Sequence, residues 1–163
     1  MTPRPSVETV WDWLDAVPDP EIPAVSLTDL GIVRAVAWEG DTLTVAVTPT
    51  YSGCPATAVI ALDIENALRE RGVEKVRLDR RLSPAWTTDW ITPRGRERLR
   101  AYGIAPPAAE SAPCVGVLAQ PQVDCPRCGS ARTRRVSQFG STPCKASWVC
   151  DDCREPFDYF KRH

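Results

Sequence analysis

Val7, Val10, Trp11 and Leu14 recur at helical spacing among polar and acidic neighbours, which predicts an amphipathic helix over residues 6–17 that Pro18 ends. Asp19-Pro20-Glu21-Ile22-Pro23 then reads as a stiff, irregular loop, because each proline fixes its own backbone and restricts the residue before it. Beyond it the period changes. Leu43, Val45 and Val47 alternate with Thr42, Thr44 and Thr48 as in a half-buried strand, and Ile32 to Trp38 reads as its hairpin partner across Glu39-Gly40-Asp41. After the loop from Thr48 to Cys54, Pro55 suits the first position of a second helix with Ile60, Ile64, Ala67 and Leu68 on its buried face. Gly72 closes that helix, and Val73 to Leu78 forms a short third strand. The order α-β-β-α-β predicts a compact two-layer α+β domain over residues 1–80.

The pattern is less regular over 81–124. Thr92-Pro93 opens a short helix that Gly103 ends, and Trp86 and Trp90 at its start are expected to pack onto a domain. The Pro/Ala-rich run IAPPAAESAPCVGVLAQPQ reads as a linker or an extended strap, and Cys114 within it receives no role. Residues 125–163 then form a separate module with a different charge. Residues 1–124 hold 12 basic and 17 acidic side chains, net −5, whereas 125–163 hold 8 and 4, net +4. The basic module would suit nucleic acid, an acidic protein or its own N-terminal domain.

Four of that module's cysteines carry the strongest chemical signal in the chain. Cys125-Pro-Arg-Cys128-Gly and Cys150-Asp-Asp-Cys153 are two knuckles separated by 21 residues, the spacing of a zinc ribbon folded as a hairpin. Four thiolates make the tetrahedral shell that Zn²⁺ prefers; iron or an Fe–S site is the alternative use of the same ligands. A closed shell leaves no open coordination position, so the ion would fold the module and not catalyse. Phe139, Trp148, Phe157, Tyr159 and Phe160 are expected in the core of so small a module, which argues against a base-stacking face. Cys144, beside Lys145, reads either as a reactive or transferable metal ligand, as a substitute for a ribbon cysteine, or as a small buried residue.

A second centre is expected at Cys54, placed by the pattern immediately before a helix. There the free N–H groups and the positive helix end favour a thiolate that attacks or binds a soft metal, and Gly53 would leave the sulfur accessible. A buried, cap-like cysteine is the alternative. Asp19 and Glu21 are its candidate partners for an open, transient metal site, if the first helix lies across the sheet.

Composition excludes several other chemistries. The one histidine is His163, so a catalytic triad or a histidine base is not available. There is no Glu-x-x-His pair for a di-iron bundle, no GxGxxG loop and no plant-type Fe–S spacing. No run of eighteen apolar residues exists, and acids stand where a secretory leader needs an apolar core, so a cytoplasmic, reducing setting is expected and no membrane.

DPEIPAVSLTDLGIVRAV at 19–36 and TPTYSGCPA at 48–56 resemble the two signatures of the SufT-like iron–sulfur assembly domain. Together with CPRCGS, FGSTPCKA and CDDCREPFDYFK, they make essentially the whole chain resemble the PaaD family. That resemblance implies a non-catalytic accessory factor of phenylacetyl-CoA epoxidase, in bacterial phenylacetate degradation. Its implied partners are the oxygenase and reductase subunits, and two copies of the assembly domain are expected to pair. The implied task is to help mature an iron or Fe–S centre. The implied functional positions are Asp19, Glu21, Asp29 and Cys54 with the loop residues Thr50 and Gly53; Asp29 is also a candidate brace of the first hairpin.

Overall fold

The computed structural model describes residues 4–107 and 120–163; Cys114 and most of the Pro/Ala-rich run lie outside them. The chain divides into two compact units, one ending at Thr92 and the other beginning at Pro93.

The first unit has the expected order: α1 (Val7–Asp15), β1 (Val33–Glu39), β2 (Thr42–Val47), α2 (Thr57–Arg69) and β3 (Val76–Arg80). Ser6 caps α1, its Oγ accepting from the Thr9 amide at 3.1 Å. The strands lie in the order β1-β2-β3. β1 and β2 form the antiparallel hairpin that Gly40 turns, with Glu39 opposite Thr42. β3 runs parallel to β2, because α2 carries the chain back across the sheet before β3 begins. Gly72, at φ 88°, ends the helical region as its amide bonds Arg69 O and the Val73 amide bonds Leu68 O. Val10 and Leu14 of α1, Ile60, Ile64 and Leu68 of α2, and Leu43, Val45 and Val47 of β2 are all buried, forming the core of the two-layer α+β fold.

A domain of residues 1–80 is shorter than the unit that forms. Residues 81–92 add a strap to it, through contacts that no short-range pattern encodes. The Trp86 indole donates to Leu30 O at 2.8 Å, and the Thr92 amide to Asp29 O at 2.9 Å. Gly31, at φ 69°, has no room for a side chain, since a Cβ there would sit 2.7 Å from the Trp90 carbonyl oxygen. Arg34 stacks over the Trp90 ring at 3.6 Å.

The second unit contains α3 (Pro93–Tyr102), β4 (Ile104–Ala105), β5 (Thr133–Ser137), β6 (Lys145–Cys150) and β7 (Pro156–Phe160). Its sheet runs β4-β7-β6-β5. The short helix expected within a linker thus belongs to the ribbon's own unit, since β4, directly after it, pairs in parallel with β7. Trp148, Phe157 and Tyr159 pack with Val123, Ala146 and Ala105, and Cys125 and Cys150 lie in the same cluster. Among the described residues, no helix is long and apolar enough to cross a membrane.

Candidate metal centre and the Cys54 loop

The first knuckle turns at Gly129, where φ is 75° and the amide returns to Cys125 O at 2.9 Å. The second turns through Arg154, also at positive φ, whose amide returns to Cys150 O at 3.0 Å. These two turns bring the sulfurs of Cys125, Cys128, Cys150 and Cys153 within 4.8 Å of one another. Cys125 Sγ lies 3.7 Å from Cys153 Sγ, and Cys128 Sγ lies 3.6 Å from Cys150 Sγ. A tetrahedral ion about 2.3 Å from each sulfur requires sulfurs about 3.8 Å apart, so the shell fits a thiophilic ion such as zinc.

Electrostatics point the same way. The Cys153 backbone N–H, with that of Asp152, pulls the Cys150 thiol down to about 7 despite burial. At Cys153 the pull of the Glu155 N–H is outweighed by burial and by bonds with Cys128, Cys150 and Cys125, which push that thiol up to about 12. Four crowded thiols cannot all ionise alone, and a central cation removes that conflict.

Cys144 is outside this shell. It is buried, its Sγ lies 3.0 Å from Thr142 Oγ1, and its carbonyl accepts from the Lys161 amide. Lys145, expected to favour a Cys144 thiolate, is itself buried and turned to Asp158, with Nζ 3.6 Å from Oδ2. Of the ribbon's aromatics, Trp148, Phe157, Tyr159 and Phe160 are buried, whereas Phe139 is exposed beneath Lys161. The basic face is also partly neutralised, Arg132 pairing with Asp152 and Arg134 with Asp151.

Cys54 is half-buried in the loop between β2 and α2. The helix begins later than the pattern implied, at Thr57, and Pro55 and Ala56 complete a turn before it. The Cys54 carbonyl takes the first donors, the Thr57 amide at 3.2 Å and the Thr57 hydroxyl at 2.8 Å. Thr50 is half-buried and Gly53 exposed; a side chain at Gly53 would meet the Tyr51 ring at an ordinary 3.8 Å.

The acidic residues are placed differently from the expected open site. Asp19 is buried, and its Oδ1 accepts from the Glu21 amide at 2.9 Å and the Ile22 amide at 2.8 Å, which holds the proline-bounded loop closed. Glu21 is half-buried on that loop. Asp29 is completely buried; its Oδ2 accepts from the Ser26 amide and its Oδ1 from the Thr92 hydroxyl. Among the described residues, the four ribbon cysteines are the one set of three or more Cys, His, Asp or Glu side chains gathered closely enough for an ion. Cys54, Asp19 and Glu21 are not gathered in this way.

Sequence reasoning missed Arg80. Its Nη2 donates to the Ser52 carbonyl at 2.9 Å, joining the end of β3 to the Cys54 loop. The stem lines a small hollow with Pro49, Thr57, Ile60 and Leu78. Only the parallel register, which sets Arg80 opposite Val47 at the base of that loop, makes the contact available.

Comparisons with known proteins agree with this division. The iron–sulfur cluster assembly protein family matches residues 7–78, and the PaaD zinc beta ribbon domain matches residues 110–161. A protein of Escherichia coli K12, provisionally named as one of the subunits of 1,2-phenylacetyl-CoA epoxidase, is 53% identical over 96% of this chain and 93% of its own. An Fe-S protein maturation auxiliary factor of Porphyromonas gingivalis is 34% identical over 52% of this chain and 82% of its own. Among solved structures, a DUF59 domain of unknown function from Bacillus anthracis superposes with a TM-score of 0.52 at 26% identity, covering 57% of this chain and 90% of that one. The chain therefore belongs to the PaaD family, an iron–sulfur cluster assembly domain followed by a zinc β-ribbon.

Proposed function

We propose that the chain is a cytoplasmic, non-catalytic maturation factor that assists iron or Fe–S assembly in a phenylacetyl-CoA epoxidase, serving its oxygenase and reductase subunits. The carrying observation is the separation of two kinds of thiol. Cys125, Cys128, Cys150 and Cys153 form a closed shell suited to a resident Zn²⁺, which would fold the ribbon as a docking handle. Cys54 stands apart in a half-exposed loop, within the segment that matches the assembly family, where one thiolate can hold cargo and release it. Thr50, half-buried on the same loop, and Glu21, half-buried on the proline-bounded loop, are the other positions that we assign to cargo handling, beside the exposed Gly53. Pairing of two copies would supply one further thiolate ligand, from a second Cys54.

Metal analysis of anaerobically purified protein tests this reading. Cys54→Ser should lose iron and leave client loading deficient while retaining zinc and client binding. Full client loading by that variant would refute it. A purely structural subunit is the second reading, favoured by the commitment of the Asp19 carboxylate to its own loop. It predicts that Cys54→Ser changes neither iron content nor client loading.

A further inference from the structure

We infer that the outer edge of β5 is the ribbon's docking surface and takes an acidic, extended segment of the client as an added strand. The inference rests on the docking-handle reading of the ribbon and names the surface and the partner's chemistry.

The direction of the backbone hydrogen bonds shows what that edge offers. In β6 the Cys144 carbonyl accepts from the Lys161 amide and the Cys150 amide donates to Glu155 O, so even-numbered positions serve the β7 side. The Lys145 carbonyl instead accepts from the Gly140 amide, on the β5 side. Antiparallel backbones alternate in this way. Arg135 lies opposite Trp148, an even-numbered position, so its own N–H and C=O point away from the sheet. β5 is the last strand in the order β4-β7-β6-β5, and among the described residues no strand pairs with its outer side. Such an edge is a template for a further strand.

The side chains decide which strand. Phe139, 64% exposed, and Val136, 62% exposed, are the most exposed large apolar side chains among the described residues. Gln138 gathers two cations beside them. Arg135 Nη1 donates to Gln138 Oε1 at 2.7 Å, and Lys161 Nζ donates to Gln138 O at 3.1 Å while lying 4.5 Å from the centre of the Phe139 ring. Both bonds are to neutral oxygens, which leaves both charges for a guest, whereas Arg132 and Arg134 are answered by Asp152 and Asp151. A second copy of β5 would set the same arginines against one another, which disfavours self-pairing. A nucleic acid would leave the outward backbone groups unused, and Lys161 already covers one face of the ring that bases would stack on. An acidic strand with alternating apolar side chains satisfies the backbone, the cations and the apolar pair together.

The test uses the full chain as wild type, Arg135→Ala, Arg135→Pro, Phe139→Ala and Cys150→Ser. The probes are short labelled peptides alternating valine with glutamate or valine with lysine, and oligothymidylate, with binding read by fluorescence anisotropy. Wild type should bind the glutamate peptide and not the lysine peptide. Arg135→Ala should weaken binding about tenfold, the effect of one lost charge-assisted contact, and Phe139→Ala about fivefold. Arg135→Pro also removes the outward N–H, on the side that β6 does not use, so it should bind more weakly than Arg135→Ala. Zinc content equal to wild type shows that these three variants fold. Equal binding of the two peptides by wild type, unchanged binding by Arg135→Ala, or tighter binding of oligothymidylate than of the glutamate peptide overturns the inference.

Capture of purified oxygenase and reductase subunits separates the two readings. Loss of capture by Arg135→Pro and Phe139→Ala, with zinc retained, supports the edge. Loss by Cys150→Ser alone overturns the edge and leaves the handle standing. Full capture by Cys150→Ser refutes the handle, and with it the client as the source of the added strand.

Discussion

Asp29 separates a structural role from a role in cargo handling most sharply. Its side chain is fully buried, with Oδ2 3.3 Å from the Ser26 amide and Oδ1 3.1 Å from the Thr92 hydroxyl. It therefore ties the turn before β1 to the strap that closes the first unit. Asp29→Ala would remove a carboxylate acceptor from two donors. At about 1.5–3 kcal/mol per hydrogen bond to a charged group, and with a cavity left behind, the expected cost is about 3–4 kcal/mol. Asp29→Asn keeps one acceptor but turns an amide donor toward the other donor, so about half that cost is expected. With a urea slope near 2 kcal/mol/M, the alanine variant should unfold at about 1.5–2 M lower urea.

The assay is urea unfolding of the full chain followed by tryptophan fluorescence, scored on the transition that zinc chelation leaves in place. At urea concentrations where the variant is still folded, iron uptake should match that of wild type. A midpoint within about 0.3 M of wild type, together with lost iron uptake, would refute the brace and make Asp29 a cargo residue.

The ribbon offers two more tests. Cys150→Ser should abolish zinc binding and also raise amide exchange across α3, because β4 directly after that helix pairs with β7 of the ribbon sheet. Cys144→Ala should leave zinc stoichiometry unchanged and cost about 1 kcal/mol in ribbon stability by thermal unfolding, since its sulfur lies outside the four-thiol shell.

Much of this protein is local and therefore readable in one dimension. The period of Val7, Val10 and Leu14, the alternation of Leu43, Val45 and Val47, and the spacing of Cys125, Cys128, Cys150 and Cys153 each encode a backbone geometry over a few residues. Those signals yielded the α-β-β-α-β order and the metal shell. The unit boundary was not readable, because it depends on Trp86, Trp90 and Thr92 meeting Leu30, Gly31 and Asp29 some sixty positions earlier. The fate of the carboxylates was equally hidden. An aspartate in a proline-bounded loop is as ready to bind cargo as to brace a turn, and only the folded loop commits the Asp19 oxygen to the Glu21 and Ile22 amides. Arg80 carries no motif at all; the parallel pairing of β3 with β2 gives it the Ser52 carbonyl to hold. Periodicity and ligand spacing are properties of the chain. Which charge is buried, and against what, belongs to the tertiary structure, because it depends on desolvation and on partners distant in sequence.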